Sequence, residues 1–247
     1  MGRAHEVRAA SMAKTAAMKS KLYSRYGKEL FIAAKSGVPD PEMNLALARK
    51  IKEAKSNQVP ADVIKRAIEK AKGGSQESYA ECRYEGFGPG AVTVIVDCLT
   101  DNTNRAFTDV RTAFNKSKGC KIAASGAVSF GYQRLGAFSF ETTLSEDELL
   151  EILIMEDINV TDAHVEDGYA EVYVEASDFA KCQDCLEANV EGVEFDRCEV
   201  SMIPDEYITL DNEDDKAALD KLMAMLMDVE DVNKVYTNVK PEAAEEE

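Results

Sequence analysis

The stretch AFSFETTLSEDELLEILIMEDINVTDAHVEDGYAEVYVE, residues 137–175, predicts the central part of the fold. A strand is predicted at Ala137–Glu141, and Ser145 caps the helix that follows it. Asn159–Val165 and Tyr169–Glu175 are predicted to pair as a hairpin, because turn-forming residues separate these two strand patterns. The stretch therefore predicts a strand, a helix and a two-stranded hairpin in succession.

The residues that follow complete this unit and add part of another. A helix starting at Ser177 and a strand at Phe195–Ile203 give the order β-α-β-β-α-β, which is the ferredoxin-like pattern. Three further elements lack a domain of their own: a short strand at Tyr207–Leu210, a helix at Asp214–Met227 and a strand at Val232–Val239. Combined with a β-α-β unit at residues 82–133, they predict a second α/β unit that the first one interrupts.

The β-α-β unit begins with a buried strand at Ala91–Leu99, and the polar residues Thr100–Arg105 cap its helix. The residues at core spacing in that helix are Phe107, Val110, Ala113 and Phe114. A further strand is predicted at Ala127–Gln133. The glycine-rich loop Glu85–Gly90 precedes a strand, whereas phosphate-cradling loops run from a strand into a helix, so nucleotide binding is not expected. Its three glycines are expected to supply special backbone angles.

The charge is divided unevenly along the chain. The formal net charge is −17, but residues 1–75 hold 16 basic and 7 acidic residues, a net of +9. The remaining residues hold 13 basic and 39 acidic residues, a net of −26. This asymmetry is typical of a nucleic-acid-binding segment on an acidic body, although solvated lysine faces of ordinary helices give a similar pattern.

A helix predicted over residues 12–36 separates its cations from its apolar residues. Five cations project within a sector of about 80° of the helix surface: Lys14, Lys21, Arg25, Lys28 and Lys35. The apolar residues on the opposite side are Leu22, Tyr23, Tyr26, Leu30, Ala33 and Ala34. The helix is therefore predicted to bury one face and to present a cationic stripe that neutralises phosphates without reading sequence.

Two shorter helices follow, each with apolar residues on one side and cations on the other. Asp40-Pro41-Glu42 is predicted to supply the N-cap and first turn of one, with Leu45, Ala48, Ile51 and Ala54 inward and Arg49, Lys50, Lys52 and Lys55 outward. Pro60 opens the other, which Gly73-Gly74 ends. Its inward residues are Ile64, Ala67, Ile68 and Ala71, and its outward residues are Lys65, Arg66, Lys70 and Lys72.

The remaining features exclude several classes of protein. Six cysteines are too few for a disulfide scaffold, and Cys182 and Cys185 are expected to be core residues of a helix rather than a redox or metal pair. The two histidines lie in unrelated segments with no nucleophile-base arrangement, so we expect no enzyme, no cofactor and no metal. Without an apolar span or a secretory signal, the protein is expected to be soluble and cytoplasmic, with no membrane partner.

Several motifs together resemble the YebC/PmpR family, and the similarity is closest to its YeeN-like subgroup. They are Arg83–Pro89, Leu99–Arg105, Val110–Phe114, Ser125–Phe130 and Val235–Val239, and Gly2-Arg3 matches the family start. The resemblance runs from Gly2 to about Lys240. Family members usually carry a Lys-Trp or similar pair near the start, where this chain has Ala4-His5-Glu6-Val7.

The resemblance implies an α+β multidomain protein: an N-terminal helical domain and two ferredoxin-like α/β domains, the last inserted into the second. On this layout, we expect a basic helical domain at residues 1–78 and a discontinuous α/β domain at residues 79–134 plus 205–240. The inserted ferredoxin-like domain is expected at residues 135–204. Residues 241–247 are expected to form an acidic disordered tail.

The resemblance also implies nucleic-acid binding without catalysis, either by a ribosome-associated translation factor or by a DNA-binding transcriptional regulator. The helices are rich in lysine and poor in arginine, which suits phosphate contact better than base readout, and the acidic body would be repelled by a long duplex. Ribosomal RNA is therefore the favoured partner and duplex DNA the second. The sequence does not decide the oligomeric state, and a monomer is our expectation.

A third hypothesis is a sensor that binds an amino-acid-like ligand through the ferredoxin-like domains.

The predicted nucleic-acid-binding residues are Arg3, Arg8, Lys14, Lys19, Lys21, Arg25, Lys28, Lys35, Lys50, Lys65, Arg66 and Lys70. The residues assigned to an interdomain or loop motif are Arg83, Tyr84, Gly86, Gly88, Asn102, Asn104 and Arg105.

Overall fold

The computed structural model describes the backbone of residues 3–240 and the side chains of residues 19–240. Its helices are α1 (Arg3–Lys35), α2 (Leu45–Ser56), α3 (Ala61–Lys72), α4 (Thr103–Lys116), α5 (Glu146–Met155), α6 (Phe179–Asn189) and α7 (Glu213–Asp228). Its strands are β1 (Ala80–Phe87), β2 (Thr93–Thr100), β3 (Lys121–Ile122), β4 (Tyr132–Glu141), β5 (Val160–Glu166), β6 (Tyr169–Glu175), β7 (Phe195–Pro204) and β8 (Val232–Thr237).

The α+β class and the insertion are confirmed. One sheet has the order β5-β6-β4-β7, in which β6 and β7 flank β4 and pair with it antiparallel, as the ferredoxin-like pattern requires. The other sheet has the order β3-β1-β2-β8. Its two central strands, β1 and β2, are neighbours both in the sheet and along the chain. All strands of the β5-β6-β4-β7 sheet lie in the chain between β3 and β8. This sheet is therefore formed by a segment inserted between two strands of the other sheet.

The chain divides into two compact units. The first runs through Tyr84 and includes Val96–Ile122 and Ala218–Val235. The second contains Glu85–Ile95 and Ala123–Ala217 and continues from Tyr236.

The N-terminal helices share an apolar core within the first unit. The fully or nearly buried residues of this core are Tyr26, Leu30, Ala34, Leu47, Ala54, Val59, Ile64 and Ala67. Tyr26 brings a hydroxyl into it and donates to Glu53 Oε1 at 3.1 Å, so its polar atom is satisfied. The predicted apolar face of α1 is confirmed, because the remaining predicted residues pack against the same core.

The start of α2 differs from the prediction. The helix begins at Leu45 rather than at Pro41, and its N-cap is Asn44, whose side chain accepts a hydrogen bond from the Leu47 N–H. Asp40 instead accepts from the Glu42 N–H in a local turn. The later start changes which residues face inward: Leu47 is buried, whereas Leu45 is 65% exposed.

The predicted strand at Ala127–Gln133 is also wrong. Ser129–Gly131 is a short 3₁₀ turn, and the strand starts only at Tyr132. The N–H groups of Gly126, Val128 and Ser129 donate to the carboxylate of Glu85 and are therefore not free to pair with a neighbouring strand.

The glycine-rich loop is shorter than predicted, because β1 extends through Phe87. Among its glycines only Gly90 has a positive φ, of 61°. Gly88 is required for a different reason: a Cβ there would lie 2.8 Å from Val92 Cγ1. Gly86 is buried within β1, so special backbone angles were the wrong reason for two of the three glycines.

The β4–β7 sheet packs against α5 and α6 in the second unit. Its core contains Phe138, Phe140, Leu149, Leu153, Val172, Val174 and Leu186. Cys182 and Cys185 are buried members of the same core, as predicted. Ser145 and Glu148 form a capping box at the start of α5, which confirms the N-cap read from the sequence.

Candidate nucleic-acid interface

The predicted cations of α1 fall into two groups. Arg3, Arg8 and Lys14 lie on the part of α1 whose side chains are outside the described residues. Lys19 and Lys35 are exposed, whereas Lys21, Arg25 and Lys28 are partly buried. The predicted continuous stripe is therefore wrong for the middle of the helix, where other parts of the first unit cover it.

Lys28 is turned toward a buried carboxylate instead of solvent. Its Nζ lies 3.4 Å from Asp231 Oδ1 and donates to the Leu99 carbonyl at 3.3 Å, and its side chain is only 13% exposed. Asp231 also accepts two hydrogen bonds from Arg105, both at 2.9 Å. The Asp231 side chain is 1% exposed, so these cations compensate a charge that would otherwise be costly to bury.

Of two other predicted cations, one is paired with carboxylates and the other has a buried ammonium group. Lys50 lies 3.1 Å from Glu29 and 2.7 Å from Glu53, and this pair of carboxylates raises its pKa against the opposing effect of burial. The Nζ of Lys21 is buried, and no hydrogen-bond acceptor reaches it among the described residues. Burial lowers the pKa of Lys21.

Lys35 and Lys70 meet at the segment that leads out of α3. Lys35 Nζ donates to the carbonyls of Ser75 and Glu77 at 3.1 and 2.7 Å. Lys70 donates to the carboxylate of Glu77. We call Phe31, Lys35, Lys70, Glu77 and Tyr79 the linker cluster. Sequence reasoning missed Glu77 and Tyr79 because neither has a motif of its own.

The exposed surface of α3 carries the remaining predicted cations. The side chains of Lys65 and Arg66 are 74% and 72% exposed. Each has a partner one turn away, with Lys65 at 3.8 Å from Glu69 and Arg66 at 2.6 Å from Asp62. Exposed pairs of this kind contribute little, so both cations can exchange these partners for phosphates.

A groove of about 380 Å³ between α2 and α3 brings further lysines together. Ile51, Ile64 and Ile68 line it, and its other lining residues include Lys55, Lys65 and Lys72. Lys55 and Lys72 are exposed and were not among the predicted contact residues. The structure thus shifts the cationic surface from α1 toward α2 and α3.

The residues of the loop motif make internal bonds. Arg83 binds Asp97 with two parallel hydrogen bonds of 2.6 and 2.9 Å. Tyr84 donates its hydroxyl to the Thr103 carbonyl at 3.1 Å, and the burial of the phenol raises its pKa. Asn102 is the N-cap of α4 and accepts from the Arg105 N–H, and Asn104 is exposed in the first turn of that helix.

The predicted core face of α4 needs one correction. Phe107 is 40% exposed, and Ala106 is buried in its place. The Phe107 ring lies 5.6 Å from that of Tyr84, so it covers β1 instead of entering the core.

Glu85 is a buried carboxylate that sequence reasoning did not select. Its side chain accepts hydrogen bonds from the N–H groups of Gly126, Val128 and Ser129 at 2.8, 2.6 and 3.0 Å. Burial opposes its ionisation, but the three N–H bonds outweigh burial and lower the pKa of Glu85. The only signal in the sequence was its place in the Arg83–Pro89 motif.

The buried thiols of Cys98 and Cys182 are not activated. Burial raises the pKa of Cys98 to about 12, and burial also raises the pKa of Cys182. Within residues 19–240, three or more His, Cys, Asp or Glu side chains are nowhere grouped so that they could hold a metal ion. In the same part of the chain, no helix is both long and apolar enough to cross a membrane.

Fold and surface together define the class: an α+β protein with N-terminal helices of net positive charge, followed by two four-stranded sheets. Two family models match it, the TACO1/YebC protein N-terminal domain over residues 3–74 and the TACO1/YebC second and third domain over residues 79–239. The chain belongs to the TACO1/YebC family, which confirms the resemblance found in the sequence motifs.

Individual relatives match over nearly their whole length. A protein of Acholeplasma laidlawii and one of Marinobacter nauticus, both named "Probable transcriptional regulatory protein", are each 48% identical to this chain. In both cases the match covers 97% of this chain and 98% of the relative. The crystal structure of a conserved hypothetical protein from Aquifex aeolicus is 31% identical, with a TM-score of 0.75, and covers 92% of this chain and 93% of its own.

Proposed function

We propose that this protein is a nucleic-acid-binding regulator that docks on ribosomal RNA through its N-terminal helices and acts as a translation factor. It works in the cytoplasm, as a monomer and without a catalytic step. The domain boundaries read from the sequence, 1–78, 79–134 with 205–240, and 135–204, are part of the proposal, and docking is assigned to the first of these domains.

The separation of charge is the observation that carries the proposal. Residues 1–75 have a net charge of +9 and the rest of the chain −26. Lys28 and Lys50 are held by carboxylates of the chain, so the available cations are concentrated on α2 and α3. Cations such as Lys65 and Lys72 can neutralise phosphates and release counterions, which supports binding that depends on charge and not on base sequence.

The residue types favour RNA in a confined site over a long duplex. Reading base edges in the major groove needs arginine, asparagine or glutamine on an exposed element. On α3 the single arginine, Arg66, is paired with Asp62, and the other outward cations are lysines. The acidic remainder of the chain would be repelled by a long duplex, whereas a ribosomal cleft can receive the basic helices alone.

The alternative is a DNA-binding transcriptional regulator. It is favoured by the names of the relatives from Acholeplasma laidlawii and Marinobacter nauticus. The third hypothesis, an amino-acid-like ligand sensor, has less support. Asn102 and Arg105 are polar residues that could bind such a ligand, but their side chains already bind residues of the chain itself.

Co-sedimentation with ribosomes over a salt series tests the proposal. The test variant changes Lys65, Arg66 and Lys72 to Glu in the full chain. The matched control changes three exposed lysines outside the N-terminal helices, Lys116, Lys118 and Lys221, to Glu. Both variants alter the net charge equally, so a general charge effect would reduce binding in both.

The proposal predicts that the wild type and the control pellet with ribosomes at low salt and that the test variant stays in the supernatant. Fluorescence anisotropy with a labelled duplex DNA is the parallel arm. Binding to duplex DNA with no ribosome association would replace translation by transcription as the working function. Equal loss in both variants would remove the assignment to α2 and α3.

A further inference from the structure

The linker cluster places one ammonium group and a phenol hydroxyl on the carboxylate of Glu77, and a second ammonium group on the backbone carbonyl of the same residue. Lys70 Nζ and the Tyr79 hydroxyl both donate to the same oxygen of Glu77, the hydroxyl at 3.0 Å. Lys35 Nζ donates to the Glu77 carbonyl at 2.7 Å. The donors of three side chains therefore converge on one residue of the linker.

Aromatic rings hold these donors in place. Phe31 is buried, and its ring meets that of Tyr79 edge to face at 5.8 Å. The Nζ atoms of Lys35 and Lys70 lie 5.4 and 5.6 Å from the centre of the Phe31 ring. Cation–π attraction thus keeps both ammonium groups beside the ring.

The cluster faces solvent and can exchange its anion. The side chains of Lys70 and Glu77 are 43% and 47% exposed. The hydrogen bond from Lys70 lowers the pKa of Glu77, so its carboxylate is charged at neutral pH. A backbone phosphodiester carries one negative charge on two non-bridging oxygens, as a carboxylate does, so it can accept the same charge-assisted hydrogen bonds.

We propose that Lys70 and the Tyr79 hydroxyl form a subsite for one phosphate of a nucleic-acid backbone, which the Glu77 carboxylate occupies in the free protein, while Lys35 holds the backbone of the linker beside it. This inference rests on the proposed function. Bound nucleic acid takes the place of the Glu77 carboxylate, and Glu77 therefore sets the affinity of the site by competition. Lys28, whose Nζ lies 5.8 Å from the Tyr79 ring, is excluded from this role because Asp231 holds it.

The variant that tests the subsite is Glu77→Gln in the full chain. It removes the competing charge and keeps the length of the side chain. Since an exposed ion pair is weak, affinity should rise by no more than about fivefold when the competing carboxylate is removed. The probe is a fluorescein-labelled oligouridylate of about 12 nucleotides, and the readout is anisotropy at low salt.

Glu81→Gln is the matched control, because Glu81 is exposed on the neighbouring strand and carries the same charge. Its effect measures the general gain from removing one negative charge. A second pair compares Lys70→Ala with Lys70→Ala/Glu77→Gln. If Glu77 acts by competing for Lys70, the gain seen in the wild-type background is lost in the Lys70→Ala background. This second pair also guards against a fold change, because both of its members share the truncated lysine.

Each outcome decides between the two levels of the proposal. A larger gain for Glu77→Gln than for Glu81→Gln, absent when Lys70 is alanine, supports the subsite. Equal gains in the two single variants, or a gain that persists without Lys70, overturn the subsite and leave the proposed function standing. Lack of binding by the wild type and by every variant overturns both.

Discussion

Glu85 carries a buried negative charge to which three backbone N–H groups donate. Its two oxygens accept from three N–H groups of the turn at residues 126–129, and the residue is 3% exposed. A buried carboxylate is stable only when it is hydrogen-bonded or paired with a cation. The same bonds shape the turn, because they use the N–H groups that a strand would need.

This charge predicts a pH dependence of stability. The pKa of Glu85 is lower in the folded protein than its ordinary value of 4.5, so its contribution is fully present above pH 4.5 and is lost as the pH falls through the folded pKa. Glu85→Gln should therefore be less stable than the wild type by about 2–3 kcal/mol at pH 7. The difference should shrink below pH 4.

Urea unfolding at pH 7, 4 and 3 measures this difference. Glu81→Gln, at an exposed position of the same strand, is the control and should change stability by less than about 0.5 kcal/mol. A gap between Glu85→Gln and the wild type that is the same at all three pH values would contradict the role of the charge.

At the scale of elements, Asn44 decides where α2 begins. Its Oδ1 accepts from the Leu47 N–H at 3.0 Å, and its Nδ2 donates to the carbonyls of Ala33 and Val38 at 2.8 and 3.0 Å. One side chain therefore caps α2 and ties it to the end of α1. A cap at Asp40 could not form the bonds to α1.

Asn44→Ala should cost about 2–3 kcal/mol, because it removes a cap and the two hydrogen bonds to the Ala33 and Val38 carbonyls. Asp40→Ala tests the competing prediction, and we expect it to cost less than about 0.5 kcal/mol because Asp40 is only in a local turn. Thermal or urea unfolding of both variants compares them. An equal loss in the two would mean that the turn before α2 is as important as its cap.

At the scale of the whole molecule, cations of one type have two different roles. Lys28 serves the fold, because it contacts Asp231 and the Leu99 carbonyl inside the first unit. Lys65, to which the proposed function assigns phosphate binding, has a side chain that is 74% exposed. Both lysines lie in the basic segment of residues 1–75, so charge along the sequence does not distinguish them. The difference between them is the exposure of their side chains.

These roles predict opposite responses to substitution. Lys28→Ala should lower stability by about 1–2 kcal/mol with little change in RNA affinity, since Asp231 keeps only its Arg105 bonds. Lys65→Ala should leave stability nearly unchanged and reduce the slope of log K against log salt concentration by about one. Thermal unfolding and anisotropy titration of the same two proteins provide both readouts. Loss of affinity in Lys28→Ala without loss of stability would reverse the assignment.

Local patterns in the sequence were sufficient for much of the fold. The Ser145 cap, the hairpin around residues 166–168 and the end of α3 at Gly73 depend on residues within one or two turns of each other, so they could be predicted. The charge split between residues 1–75 and the rest is likewise a property of the sequence alone. The family resemblance also rested on the order of short motifs and required no coordinates.

Contacts between distant residues decided the rest. Glu85 with the turn at residues 126–129, Lys28 with Asp231, and Asn44 with Ala33 join positions 11 to 203 residues apart. A hydrogen bond or ion pair depends on distance and direction, and helical or strand periodicity carries neither for residues on different elements. The sequence by itself therefore determined most of the elements, the charge of each segment and the family. Only the tertiary structure decided which cations are partly buried in ion pairs and which remain exposed.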